Sequence, residues 1–353
     1  MSAYLEAADE MSALERLHEL GCTDGLPIIV PTPDRVARMV LASGLEADMV
    51  LGIMGPGNGT ATVEKVAVAA VMAGCLADSM PLVVAAVKAV MEPEFDLTEM
   101  QATTHCTAPL IIVNGPARHT CGPISSGFGA LGPGHRGNAT VGRALRLCMI
   151  NIGGGRSGSS DMALLGHPGK FTYCLAEDEE GSPFPPLHVD RGFQADDSVV
   201  TVIGAEAPHS VIHSANADDP QDHEKLLQSL AVGVANMATN NAILTGGSVV
   251  VVLNPEHATV LSNSNMNRET VANRLFELTH HAKRDRLGGM IGGAANDGDY
   301  ACFTEPGQIV ILMAGGSGLY SMVMPSWCAG AHNNSAVSVM VDTDQFCEIP
   351  GLE

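Results

Sequence analysis

Pro109-Leu110-Ile111-Ile112-Val113-Asn114 is an unbroken apolar run that ends on a polar side chain, and Ser248-Val249-Val250-Val251-Val252-Leu253-Asn254 is a second of the same kind. Short runs rich in β-branched residues, apolar at every position, read as strands buried on both faces, the pattern of parallel or mixed sheets covered by helices. The surroundings of the two runs follow one order. Around the first come a helix opening at Val63-Glu64-Lys65-Val66, a helix at residues 140–145, the segment Tyr173-Cys174-Leu175-Ala176-Glu177 and a strand at 198–204. Around the second come His223-Glu224-Lys225-Leu226, a helix at 270–275, Tyr300-Ala301-Cys302-Phe303-Thr304-Glu305 and a strand at 308–314. Each copy carries Cys-x-x-Glu ahead of an apolar strand, and we read the order as an internal duplication. The expected fold is α/β, with two related α/β lobes whose helices pack on parallel or mixed sheets. Residues 1–60 read as an N-terminal helical and extended arm, 61–215 as the first lobe and 216–353 as the second. In the arm, Leu5, Ala8, Met11, Leu14 and Leu17 have helical spacing, and Thr32-Pro33 opens another helix.

Charge narrows the function. The 353 residues hold 39 acidic and 18 basic side chains, a formal net charge of −21. Binding nucleic acid requires cations that displace counterions from phosphates, and a membrane-surface protein requires a basic face. Neither is expected here. The chain is 46% apolar and only 16% charged, which excludes disorder. The apolar segments 66–75 and 82–91 are divided by Asp78 and Pro81, and each falls short of the ~20 residues a bilayer needs. The acidic start is unlike a signal peptide, and nine scattered cysteines suggest free thiols in a reducing cytoplasm. Long apolar segments with few aromatics suggest a homo-oligomer.

The phrases DGLPIIVPTPDRVARM, ATVEKVAVAAVMAGC, QATTHCTAPLIIVNGP, GNATVGRALRLCMINIGG and HPGKFTYCLAEDEEGSPFPPLHVDRGF span most of residues 24–260. In them the chain resembles a bacterial protein family associated with the UGSC-type (seleno)protein domain. The resemblance implies no catalytic residues, and this chain lacks the Gly-Ser-Cys triplet of that type.

Candidate chemistry clusters around the strand ends. His105-Cys106 precedes the first buried run, and an imidazole can lower a thiol's pKa. Neighbours on a strand point to opposite faces, so direct activation of one by the other is not expected. Asn114 and Arg118 follow the run, where sites collect beyond strand C-termini, and Arg118 could clamp a carboxylate. Two glycine-rich loops, one with Ser125 and Ser126 ahead of a helix capped by Asn138 and one with Ser157, suit an oxyanion. Lys170 could neutralise an anion or form a Schiff base. Glu177 and Glu305, matched by the duplication, are expected to face one cleft as general acid and base. Cys328 and His332 lie four apart, the spacing of a thiolate–imidazolium pair on a helix, with Ser317 in the glycine-rich turn upstream. His209 and His213 form the best local metal pair, although neither H-E-x-x-H nor paired C-x-x-C occurs, so no cofactor is expected and a metal stays open.

The reading is an enzyme acting on a small polar or anionic molecule in an interlobe cleft. A hydrolase or lyase using Glu/His acid–base chemistry, with Cys as nucleophile, is preferred. A thiol-dependent oxidoreductase and a non-catalytic binding or assembly subunit are the alternatives.

Overall fold

A computed structural model describes residues 4–236, 239–281 and 300–342. The chain opens with α1 (Glu10–Glu19), α2 (Pro33–Ser43) and a hairpin of β1 (Val50–Met54) and β2 (Gly59–Thr62). Thr32 precedes α2 and Pro33 starts it, as the sequence predicts. Next come α3 (Val63–Ala73), α4 (Met80–Met91), α5 (Leu97–Ala102) and the first buried run, β3 (Ala108–Asn114). A short α6 (Ala117–Thr120) and the long α7 (Arg136–Asn151) lead to β4 (Cys174–Ala176), α8 (Leu187–Asp190), β5 (Val199–Ala205) and β6 (His209–Ile212). The second half holds α9 (Asp222–Val234), α10 (Asn240–Leu244), the second buried run β7 (Val249–Leu253), α11 (Pro255–Asn263) and α12 (Arg268–Leu278). It ends with β8 (His280–His281), β9 (Tyr300–Ala301), β10 (Ile309–Met313), β11 (Tyr320–Met324) and β12 (Val337–Met340).

The strands make two four-stranded mixed sheets, ordered β4-β3-β5-β12 and β10-β7-β11-β6. Each buried run is parallel to one neighbour, β4 or β10, and antiparallel to the other, β5 or β11. An antiparallel edge strand completes each sheet. What repeats is strand order and sense. The edge strands are exchanged: β6 follows β5 in sequence but pairs with β11, while β12 follows β11 but pairs with β5. The sheets therefore do not divide at residue 215, because 209–212 and 337–340 each lie in the sheet built mainly by the other half.

Alternation along each strand explains the layering. Ile111, Val113, Val200 and Val202 face the helices α3, α4 and α7, in one core. Val249, Val251, Leu253, Ile309 and Ile311 face α9, α11 and α12, in another. The opposite positions, Leu110, Ile112, Leu175 and Ile203 on one sheet and Val250, Val252, Val310 and Leu312 on the other, pack against each other. The result is helix–sheet–sheet–helix in four layers. The space between the lobes along the strands is thus a closed apolar layer, not an open cleft.

The matched Cys-x-x-Glu segments do not occupy matching places. Cys174 lies within β4, next to Ile111 of β3, whereas Cys302 precedes a 3-10 turn, Pro306–Gln308, that leads into β10. The counterpart of that turn is Pro168–Lys170 ahead of β4. By its place before the Pro-Gly turn, Glu305 corresponds to His167 rather than to Glu177.

The arm lies over α3, leaving a cavity of about 1120 Å³ lined by Leu17, Val36, Val40, Val68 and Met72. Ala13 is the one residue of α1 that is buried. Among the described residues, no helix is long and apolar enough to cross a membrane.

Candidate active site

Between α5 and β3 the backbone bends instead of running extended. The His105 amide donates to Thr103 Oγ1 (3.2 Å) and the Thr107 amide donates to the His105 carbonyl (3.2 Å), leaving Cys106 at the apex of a tight turn. Strand alternation therefore does not separate His105 from Cys106. His105 Nε2 lies 2.7 Å from Glu206 Oε1, and Asn240 Nδ2 donates to His105 Nδ1 at 2.9 Å. With the amide donating to Nδ1, the network assigns the ring proton to Nε2, directed at the carboxylate. The imidazole is 18% exposed and the Glu206 side chain 25%, so the pair reaches solvent.

Glu206 is placed by the strand exchange. It is the first residue after β5, its amide donates to the Pro325 carbonyl (2.9 Å), and Tyr173 Oη donates to its carbonyl (2.9 Å). Ala205 forms a bridge with Ser326. The two crossing segments therefore touch here, and Asn240, at the start of α10, completes the site from the second half.

Lys170 approaches from the Pro168–Lys170 turn. Its Nζ donates to Asp161 Oδ1 (2.8 Å) and to the Thr107 carbonyl (3.4 Å), next to Cys106. The same carboxylate receives the buried Arg146 guanidinium through Oδ2 at 3.4 Å. Burial lowers the Lys170 pKa, the Asp161 hydrogen bond opposes this, and the Arg146 charge lowers it further. His167 holds the turn: its Nδ1 accepts from the Gly169 amide and its Nε2 donates to the Ala205 carbonyl. Burial lowers the His167 pKa as well. One region thus gathers an imidazole–carboxylate pair, a lysine and a half-buried thiol.

Cys328 adjoins this region but is sealed. It is buried, its Sγ faces the Ser326 carbonyl at 3.5 Å, and burial with the nearby Glu206 charge pushes its thiol up to about 12. It does not pair with His332, whose amide and Nδ1 bind Asp96 (2.8 and 2.9 Å), raising the imidazole pKa. Burial also moves Cys121 up to about 11 and Cys75 up to about 12. Of the eight described cysteines, none of them in a disulfide, only Cys22 and Cys106 are less than fully buried, and Cys347 lies outside the described residues.

A second polar cluster occupies the opposite end, beyond β3 and β4. Glu177 is fully buried; it accepts from Asn114 Nδ2 (2.6 Å), the Leu187 amide (2.7 Å) and Arg268 NH2 (2.8 Å). Glu179 accepts from Asn114 and the Gly115 amide, and Arg118 spans Glu179 and Glu180. Arg118 is thus occupied by the chain's own carboxylates. Asn114 Oδ1, both ring nitrogens of His188 and Arg268 Nε are buried here without a hydrogen-bond partner. Glu305 is exposed at the far end of β10, so Glu177 and Glu305 do not face one cleft.

The remaining candidates separate. Asn138 lies inside α7 rather than capping it; its amide group binds the Ser125 amide and carbonyl and the Ala130 carbonyl, pinning the glycine-rich loop. The Ser126 carbonyl accepts from the Gly315 amide, joining that loop to the turn that carries the exposed Ser317. Ser157 is exposed beyond α7. His213 binds Asp222 and His209 is exposed, and among the described residues no group of three or more His, Cys, Asp or Glu side chains is placed to hold a metal ion. Sequence reasoning missed Glu206, although the first polar residue after a buried strand is a signal it used elsewhere. It also missed Asn240 and Asp161, which carry no local signal. Comparison with known protein families, curated proteins and solved structures finds no match.

Proposed function

We propose that the protein is an enzyme that cleaves a small polar or anionic molecule by acid–base chemistry at the His105–Glu206 pair. The observation that carries this reading is His105 held between Glu206 and Asn240, with both groups of the pair partly open to solvent and Lys170 reaching the Thr107 carbonyl two residues on. Nδ1 receives only a neutral amide, so it is the ring position that takes a substrate proton once the substrate displaces Asn240. Glu206 then stabilises the imidazolium, as a carboxylate does for any imidazole base. Lys170 supplies positive charge for an anionic group or a developing oxyanion. Cys106 is the thiol within the same cluster, and it replaces the buried Cys328 as the candidate nucleophile. Proton transfer by this pair supports lyase or hydrolase chemistry.

The test is turnover of a panel of esters, amides, hydroxy acids and oxo acids by the wild type, His105→Gln and Glu206→Gln. Loss of about 10²–10⁴ in rate with an unchanged circular dichroism spectrum supports the reading, the range expected for removing a general acid–base. Equal turnover by all three proteins sinks it.

The same reading keeps the protein in the cytoplasm and in a homo-oligomer. Exposed Leu164, Leu165, Phe128 and Val232 side chains support association. Light scattering that finds only a 36.6 kDa species counts against it.

A further inference from the structure

Asp161 is one carboxylate shared by two cations. Its Oδ1 takes Lys170 Nζ at 2.8 Å and its Oδ2 takes Arg146 at 3.4 Å. Arg146 is buried and a guanidinium does not release its proton in proteins, so the excess positive charge of the trio is relieved only by the lysine. The Lys170 side chain keeps 18% of its surface exposed, enough to meet a ligand, and its backbone is fixed by Arg146 Nε on the Lys170 carbonyl and by the Pro-Gly turn. The imidazole–carboxylate pair is joined to the same strand ends, through Thr107 beside Cys106 and through Ala205 beside Glu206.

We infer that Lys170 is a nucleophilic amine that forms a Schiff base, so that the substrate is a small aldehyde or ketone. This rests on the acid–base reading above and gives its site a substrate class. A mostly buried lysine that shares one carboxylate with a second, permanently charged cation is the arrangement by which proteins make lysine a nucleophile. The steps balance without any other reactant. The Nζ lone pair forms a C–N bond at the carbonyl carbon, and the carbonyl oxygen takes the proton that Nζ sheds, giving a carbinolamine. That oxygen leaves as water with a second proton delivered by His105, giving the protonated C=N bond. In a β-hydroxy carbonyl substrate the imine then accepts the electron pair of the adjacent C–C bond as His105 takes the hydroxyl proton, so the far fragment departs as a carbonyl compound and an enamine remains. The enamine carbon takes that proton from His105, and water adds to the resulting imine carbon, releasing the second product and restoring Lys170.

The experiment is borohydride reduction of the intact protein with pyruvate or glyoxylate, followed by peptide mass mapping. The expected result is a reduced adduct on Lys170 well ahead of Lys65, Lys88 and Lys225, retained in Lys88→Arg and lost in Lys170→Arg. No adduct with either probe, or an adduct spread evenly over the lysines, overturns the inference; because this is read on the wild type, it does not depend on a variant folding. The two readings fail separately. Trapping at Lys170 with turnover untouched by His105→Gln leaves the lysine and removes the acid–base pair, whereas loss of turnover in His105→Gln without trapping does the reverse.

Discussion

Glu177 and Arg268 form a fully enclosed ion pair between residues 91 apart in the chain. The paired state compensates the cost of taking both charges out of water; removing one partner leaves that cost standing. Arg268→Met should therefore destabilise the fold by about 3–5 kcal/mol, the range for stranding a buried charge. Glu177→Gln should cost less, because Arg268 retains Asp190. The pH dependence has a definite sign. Burial, the largest influence, raises the Glu177 pKa above its ordinary value, with Arg268 the main opposing charge. A carboxyl raised in the folded state binds protons more tightly than in the unfolded chain, so stability falls as pH rises from about 4.5 through the folded value. Without Arg268 that window widens upward. Urea denaturation should find Arg268→Met closer to wild type at pH 5 than at pH 8. Glu180 behaves oppositely: Arg118 holds its pKa down at about 2, so its contribution is present above the ordinary carboxylate range and lost as pH falls toward 2. Glu177 was legible only as the acid of a Cys-x-x-Glu segment, and nothing local announces a partner so distant.

Elements were more legible than the contacts between them. Two unbroken apolar runs identified β3 and β7, and Pro33 identified the start of α2, because backbone chemistry acts within a few residues. The turn at His105 escaped because Thr103 and the Thr107 amide close it, and its consequence is a usable thiol. Of the described cysteines, native-state alkylation with iodoacetamide should label Cys106 and Cys22 first, while Cys328 reacts only on unfolding; prompt labelling of Cys328 would contradict its burial. Helix α7 shows the same dependence on neighbours. A Cβ on Gly142 would stand 2.5 Å from Thr172 Oγ1 and 2.6 Å from the Tyr173 amide, so the glycine sets how closely α7 lies against the entry to β4. Alanine there gains about 1 kcal/mol of helix propensity but overpacks at a cost of about 1–3 kcal/mol. Gly142→Ala should lower the melting temperature, whereas an improvement would mean that the contact yields. Helix α1 is the opposite case, and its amides should exchange with solvent faster than those of α3, since it buries so little.

At the scale of the whole molecule, the fold class followed from the sequence, but the pairing of its halves did not. Strand exchange leaves the local pattern of β6 and β12 unchanged, so no periodicity could reveal which sheet each one joins. The excess of 39 acidic over 18 basic residues opposes compaction, and moderate salt screens it. Thermal stability at pH 8 should rise between low ionic strength and about 0.15 M salt, where the Debye length is about 8 Å. A flat response would place the charges too far apart to matter.

Because each sheet is finished by a strand from the other half, neither half expressed alone should give a cooperative melt; a sharp transition for residues 1–215 by itself would refute this. The exposed stretch 214–218 is then a place where the chain can be cut without being parted. A protease acting there would produce two bands in denaturing gels and a single particle of unchanged size in solution, clasped like folded hands. Glu206 and Asn240 would sit on different fragments of that particle. Catalysis by two separately made fragments would therefore report directly that the clasp had closed.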